Sequence, residues 1–120
     1  MAEIATVARP YAEAAFRAAL DKSSLDKVGE GLALLAVVAG DGRVRSFMSD
    51  PRVNAKQKKD FFGSIGGERL DDITRNLVGV LVDNGREDIL GAIAGEFDAL
   101  RREVDAKAHA QMLDQLKAQI

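Results

Sequence analysis

Apolar residues recur along this chain at intervals of three and four almost from end to end, and no run of strict alternation marks a half-buried strand. Ile4, Val7, Tyr11, Ala14, Ala15 and Ala18 lay one stripe along a first helix. Pro10 fits only the opening turn of that helix, where its missing donor and fixed φ do least harm, so the start is left open by about one turn. Ser23, three residues before Asp26, is the predicted cap of a second helix with Leu25, Val28, Leu32, Leu35, Ala36 and Ala39 inward. Gly29 and Gly31 each cost its interior about 1 kcal/mol relative to alanine, a loss packing has to offset, for instance by close approach of another backbone. Gly40 and Gly42 are expected to stop it.

A short helical piece over 43–48 contributes Val44, Phe47 and Met48, and Pro51 ends any continuation. Asn54 with Gln57 three positions on opens a fourth helix with Phe61, Phe62 and Ile65 inward, closed by Gly66 and Gly67. Leu70, Ile73, Leu77, Val80 and Leu81 define a fifth, capped by Asp71 and ended by left-handed residues at Asn84 and Gly85. An Asn-Gly pair also suits a β-hairpin, but Ile89, Ile93, Phe97 and Leu100 beyond it keep the helical interval, so two helices joined by a turn are predicted. The sixth helix runs from about Glu87 through Val104. His109, Met112, Leu113, Leu116 and Ile120 then carry the rhythm into a tail that either continues straight or breaks near 106–108.

The sum is an all-α protein, a six-helix bundle of five substantial helices and one short one, with a helical C-terminal tail. The predicted division is a bundle over 1–105 and a tail over 106–120. Because the tail stops on an apolar residue, the chain is expected to be a piece of a longer protein. A chain of 120 residues can bury one core without staples, and with no cysteine it has neither disulfides nor thiolate metal sites. No segment reaches the apolar length of a membrane span, so no direct membrane insertion is expected.

Seventeen basic against nineteen acidic residues leave a net charge of -2, mixed in sign along the chain, which removes the usual electrostatic support for nucleic acid. Lys56, Lys58 and Lys59, answered by Asp60, read as a solvated helix face. His109 stands alone, so no zinc site or histidine-assisted nucleophile can be assembled. The glycine-containing stretches "GSIGGERL" and "AGDGRVRS" lack a phosphate-loop pattern, and "DNGRED" lacks that of a calcium loop. No catalytic residue, cofactor site or metal site is predicted, and the chain does not read as an enzyme.

Recognition remains. Ala12, Ala14, Ala15, Ala18 and Ala19 give the first helix low relief on more than one side, so a second helix can approach closely. Tyr11 adds a broad ring whose hydroxyl favours a wet edge, a combination common at interfaces. Two readings stay open at this level: a binding face, or ordinary core packing with Tyr11 at its rim. Phe16 lies off the stripe and is assigned to packing within the bundle.

"TVARPYAEAAF" at 6–16, "NLVGVLVDNGREDIL" at 76–90 and "IAGEFDAL" at 93–100, with "SDPRVNAKQKKDFF" between them, resemble the amino-terminal domain of the delta subunit of bacterial F-type ATP synthase, relative of the oligomycin-sensitivity-conferring protein. The resemblance covers about residues 2–105. It implies a six-helix bundle and a non-catalytic stator role, linking the catalytic head to the peripheral stalk on the cytoplasmic face of the inner membrane. It further implies that the amino-terminal helix of an alpha subunit binds between the first and fifth helices. At the matching positions that groove would use Tyr11, Ala14, Ala15, Leu77, Val80 and Leu81. The b subunits of the stalk would meet the family's carboxy-terminal region, and the isolated domain would be a monomer. After Arg102 this chain keeps a helical rhythm where relatives often turn to an alternating, strand-like segment. The rival expectation is a helical adaptor or regulatory domain that dimerises through its last helix.

Overall fold

The computed structural model describes residues 3–120; the first two residues of the expected 1–105 bundle lie outside the described residues. Six α-helices follow in order: α1 (Ile4–Asp21), α2 (Leu25–Gly40), α3 (Gly42–Ser49), α4 (Ala55–Gly66), α5 (Asp72–Asp83) and α6 (Leu90–Gln119), and no strand occurs among the described residues. Short 3-10 turns at Gly67–Arg69 and Glu87–Ile89 lead into α5 and α6. The all-α bundle predicted from periodicity is therefore the fold. α6 packs along α1 and α2, while α5 lies against α1 and α4.

One core unites these helices, with Phe62, Phe97, Leu32, Leu35, Leu81, Leu90 and Ile93 among its fully buried members. The stripe predicted for α1 overlaps the core face only at Ala15, with Val7 and Tyr11 packed half-buried at its margin. The core positions of α1 are Ala8, Ala12, Ala15, Phe16 and Ala19, about a quarter-turn round from Tyr11, Ala14 and Ala18, and Ile4 is 60% exposed. Phe16 meets Phe97 edge-on with ring centroids 5.6 Å apart, so this phenylalanine does pack within the bundle. In α5 the inward set is Thr74, Val78, Leu81 and Val82, again rotated from Ile73, Leu77 and Val80. Both helices thus have two apolar faces, one for the core and one left over.

Capping chemistry is met in three places. Asn54 and Gln57 form a reciprocal capping box on α4. Asp71 accepts from the Thr74 amide at the start of α5. Asp41 accepts from the amides of Arg43 and Val44 at the start of α3. Ser23 is a correction: the residue before α2 is Ser24, neither serine supplies a side-chain cap, and Ser23 turns the chain at φ 53°. Gly42 opens α3 rather than ending α2, because Asp41 caps there. Asn84 keeps φ at -91°, leaving Gly85 alone in the left-handed region at φ 65°.

Pro10 also departs from expectation, since α1 starts at Ile4 and carries the proline inside it. The ring leaves the Thr6 carbonyl without its helical donor, a cost tolerated beside an exposed flank. The close approach inferred for the α2 glycines is real at Gly31, where a Cβ would lie 3.3 Å from side-chain atoms of both Leu70 and Thr74 and 3.4 Å from the Arg69 carbonyl. α6 crosses 106–108 without a break, and beyond Arg101 every residue is exposed. What changes along this stretch of α6 is burial, which ends at Arg101, and not backbone conformation.

Candidate functional site: a groove between two helices

The leftover faces of α1 and α5 meet. Tyr11, Ala14, Ala15 and Ala18 from α1, with Ile73, Leu77 and Val80 from α5, line a groove of about 390 Å³, and Asn76 and Lys22 contribute its polar groups. Alanines make the floor low, as the run "PYAEAAF" requires, while Leu77 and Val80 raise a wall. Val80 is 49% exposed, a cost in water unless something covers it; covering it would stabilise a complex by about 1 kcal/mol.

Five of the six positions carried over from the resemblance therefore come together, and one does not. Leu81 is fully buried and lies in the core. Its neighbour Val80 takes the outward place, about 100° round the helix from Leu81, on the same side as Ile73 and Leu77. Ala15 marks the boundary: it touches the groove floor yet is only 4% exposed. Tyr11 stands at the edge, where its hydroxyl accepts a hydrogen bond from the Asn84 side chain.

Behind the groove, α1 is tied to α6. Arg9 donates to Glu13 at 3.0 Å and to Glu96 at 3.2 Å, bridging the two helices on the side away from α5. The Glu13 hydrogen bond and then the Glu96 hydrogen bond hold the Arg9 guanidinium even more firmly protonated than usual.

Sequence reasoning missed two features. Ile65, expected inward, lines a second apolar groove with Val37, Val38, Val44, Phe47 and Phe61 between α2, α3 and α4. Phe62 alone of the α4 apolar trio is fully buried, while Ile65, four residues on from Phe61, shares with it the side that lines this groove. Lys58 is the other: it turns inward to pair with Glu87 at 2.9 Å, with only 18% and 10% of the two side chains exposed. Lys56 does answer Asp60 at 2.9 Å on the surface, but Lys59 pairs with Asp83. The signal available for the buried pair was one acid, Glu87, next to the apolar start of α6. No cluster of three or more possible metal ligands occurs among the described residues.

An all-helical bundle with an apolar groove between α1 and α5 is the class of protein that fold and site define. Within that class the chain belongs to the ATP synthase delta (OSCP) subunit family, whose sequence profile matches residues 7–117. It is 39% identical over 112 residues to the ATP synthase subunit delta of Methylobacillus flagellatus, covering 93% of this chain and 63% of that one. The subunit of the same name from Idiomarina loihiensis is 39% identical over 117 residues, covering 98% and 66%. That from Bordetella avium is 43% identical over 117 residues, covering 93% and 63%. The chain thus spans a little under two thirds of the length of these relatives.

Proposed function

We propose that this chain acts as the helix-docking part of an ATP synthase stator: a non-catalytic clamp between the catalytic head and the peripheral stalk that supports proton-driven ATP synthesis. The observation that carries the reading is the apolar groove between α1 and α5 in a chain of the delta family. Its occupant is the amino-terminal helix of an alpha subunit, laid in by its apolar face with anchors at helical spacing. The clamp holds the head against rotation, which asks for slow dissociation and no bond chemistry. The b subunits bind the family's carboxy-terminal region, and the assembly sits at the cytoplasmic face of the bacterial inner membrane. No described helix is long and apolar enough to cross that membrane.

Calorimetric titration with a peptide from the cognate alpha-subunit amino terminus tests this directly. Binding at micromolar concentrations or below is expected, with the bundle itself a monomer. No heat at concentrations well above micromolar overturns the reading.

A second reading rests on α6, where Val104, Met112, Leu113, Leu116 and Ile120 are exposed. That stripe fits self-association of the tail as an adaptor dimer. Sedimentation separates the two: a dimer lost on removing 106–120 favours the tail, and a monomer favours the groove.

A further inference from the structure

The groove has unlike ends. At one, the Tyr11 hydroxyl and the Asn84 amide form a neutral polar bridge. At the other lies Lys22, just past the last residue of α1 and eleven positions from Tyr11, which is about 16 Å along a helix. Lys22 is the one charged side chain among the groove-lining residues, and it is exposed. It takes part in none of the ion pairs among the described residues, whereas Asp83, beside Asn84 at the opposite end, is already held by Lys59 at 2.8 Å.

We propose that Lys22 sets the direction and register of the docked helix by meeting an acidic side chain of the partner about three turns from the residue that packs beside Tyr11. This rests on the groove being a helix-docking site. Apolar contacts alone are nearly indifferent to direction, because an alanine floor and an aliphatic wall offer a similar surface to either orientation. A single cation at one end removes that indifference. Reversing the helix would carry the acid from Lys22 to the neutral bridge and leave the lysine unmet, and this kind of complementarity fixes register more than it adds affinity. The partner pattern is correspondingly specific: apolar anchors at three- and four-residue spacing over about three turns, and an acid at one end only.

The test uses the cognate alpha-subunit amino-terminal peptide and variants of it in which each acidic residue is replaced by lysine in turn. Lys22→Glu should keep its helicity, since the Lys22 side chain is exposed, and should bind the unaltered peptide roughly five-fold more weakly at low salt. The difference should shrink as salt screens the pair. One charge-reversed peptide, and only one, should bind Lys22→Glu better than it binds the unaltered protein. If Lys22→Glu binds the unaltered peptide within two-fold at low salt, or if no reversed peptide recovers affinity, the orientation role is wrong while the groove stands. If the unaltered peptide fails to bind the unaltered protein, the docking reading itself falls and this inference with it.

Discussion

The Tyr11 hydroxyl accepts a 3.3 Å hydrogen bond from the Asn84 side-chain amide, joining α1 to α5 across one end of the groove. Asn84 is exposed and Tyr11 only half-buried, and the bond itself lies at the solvent edge, so it is worth little to the bundle, under about 1 kcal/mol. Tyr11→Phe should therefore melt close to the unaltered protein and lose only a few-fold in affinity for the alpha-subunit peptide. Tyr11→Ala also removes the ring and should lose about ten-fold. Thermal unfolding alongside calorimetric titration measures both. Equal losses for the two variants would show that the hydroxyl, not the ring, makes the contact.

Ala14 and Ala15 are neighbours with opposite fates, one exposed toward the groove and the other 4% exposed against the core. Ala14→Asp should leave helicity largely intact and weaken peptide binding, because it sets a charge in an apolar groove. Ala15→Asp should destabilise the fold by about 3 kcal/mol or more, since its charge has no partner inside. Circular dichroism through a urea titration separates the two effects. Similar unfolding midpoints for both variants would contradict the two-faced description of α1.

The Lys58–Glu87 pair ties α4 to the turn before α6 at 2.9 Å, and Oε2 of Glu87 is buried with no hydrogen-bond partner in the structure. Lys58→Met strands the carboxylate and should cost about 3 kcal/mol. Adding Glu87→Leu should recover most of that loss, because the desolvated charge then disappears as well. A chemical-denaturation cycle over the two single variants and the double one reads the coupling. No recovery in the double variant would mean that packing, not charge, explains the single loss.

Asp41 titrates below the usual carboxylate range because the Arg43 side chain, and then the Arg43 amide, hydrogen bond to its ionised form. A carboxyl whose folded pKa is depressed contributes stability above its unfolded pKa of about 3.9 and loses it as the pH falls through the folded value. Acidification below the carboxylate range should therefore loosen the start of α3. Following Asp41 and the Arg43 and Val44 amides by NMR checks this, and Asp41→Asn should abolish that residue's part of the acid response while keeping a capping oxygen. An unshifted Asp41 titration would remove the cap from the account.

The helices and their order were readable because a three-to-four interval survives any choice of face. Faces were harder. In α1 the residues Tyr11, Ala14 and Ala18 are as apolar as Ala8, Ala12 and Ala19, so hydropathy cannot say which stripe is core. The same ambiguity sent Ile65 to the interior, whereas Leu81 was assigned to the groove by the resemblance and lies in the core. Asn54 and Asp71 were legible as caps because capping is local, with donor and acceptor three residues apart. Pairs such as Lys58 with Glu87 join positions 29 apart, and no local pattern encodes them.

α1 has the groove on one side and α6 on another, fastened there by Arg9 to Glu96 and by Phe16 to Phe97. If the groove is occupied as proposed, a pull on the occupant enters the bundle through α1 and α5, and the share borne by α1 passes sideways into α6, the helix that projects beyond the core. The route from the gripped segment to the projecting end thus crosses only two helices, and nothing along it is a hinge: α6 runs unbroken from Leu90 to Gln119. A tether arranged in this way would give little before it transmits, and the compliance of the joint would reside in the groove contacts themselves.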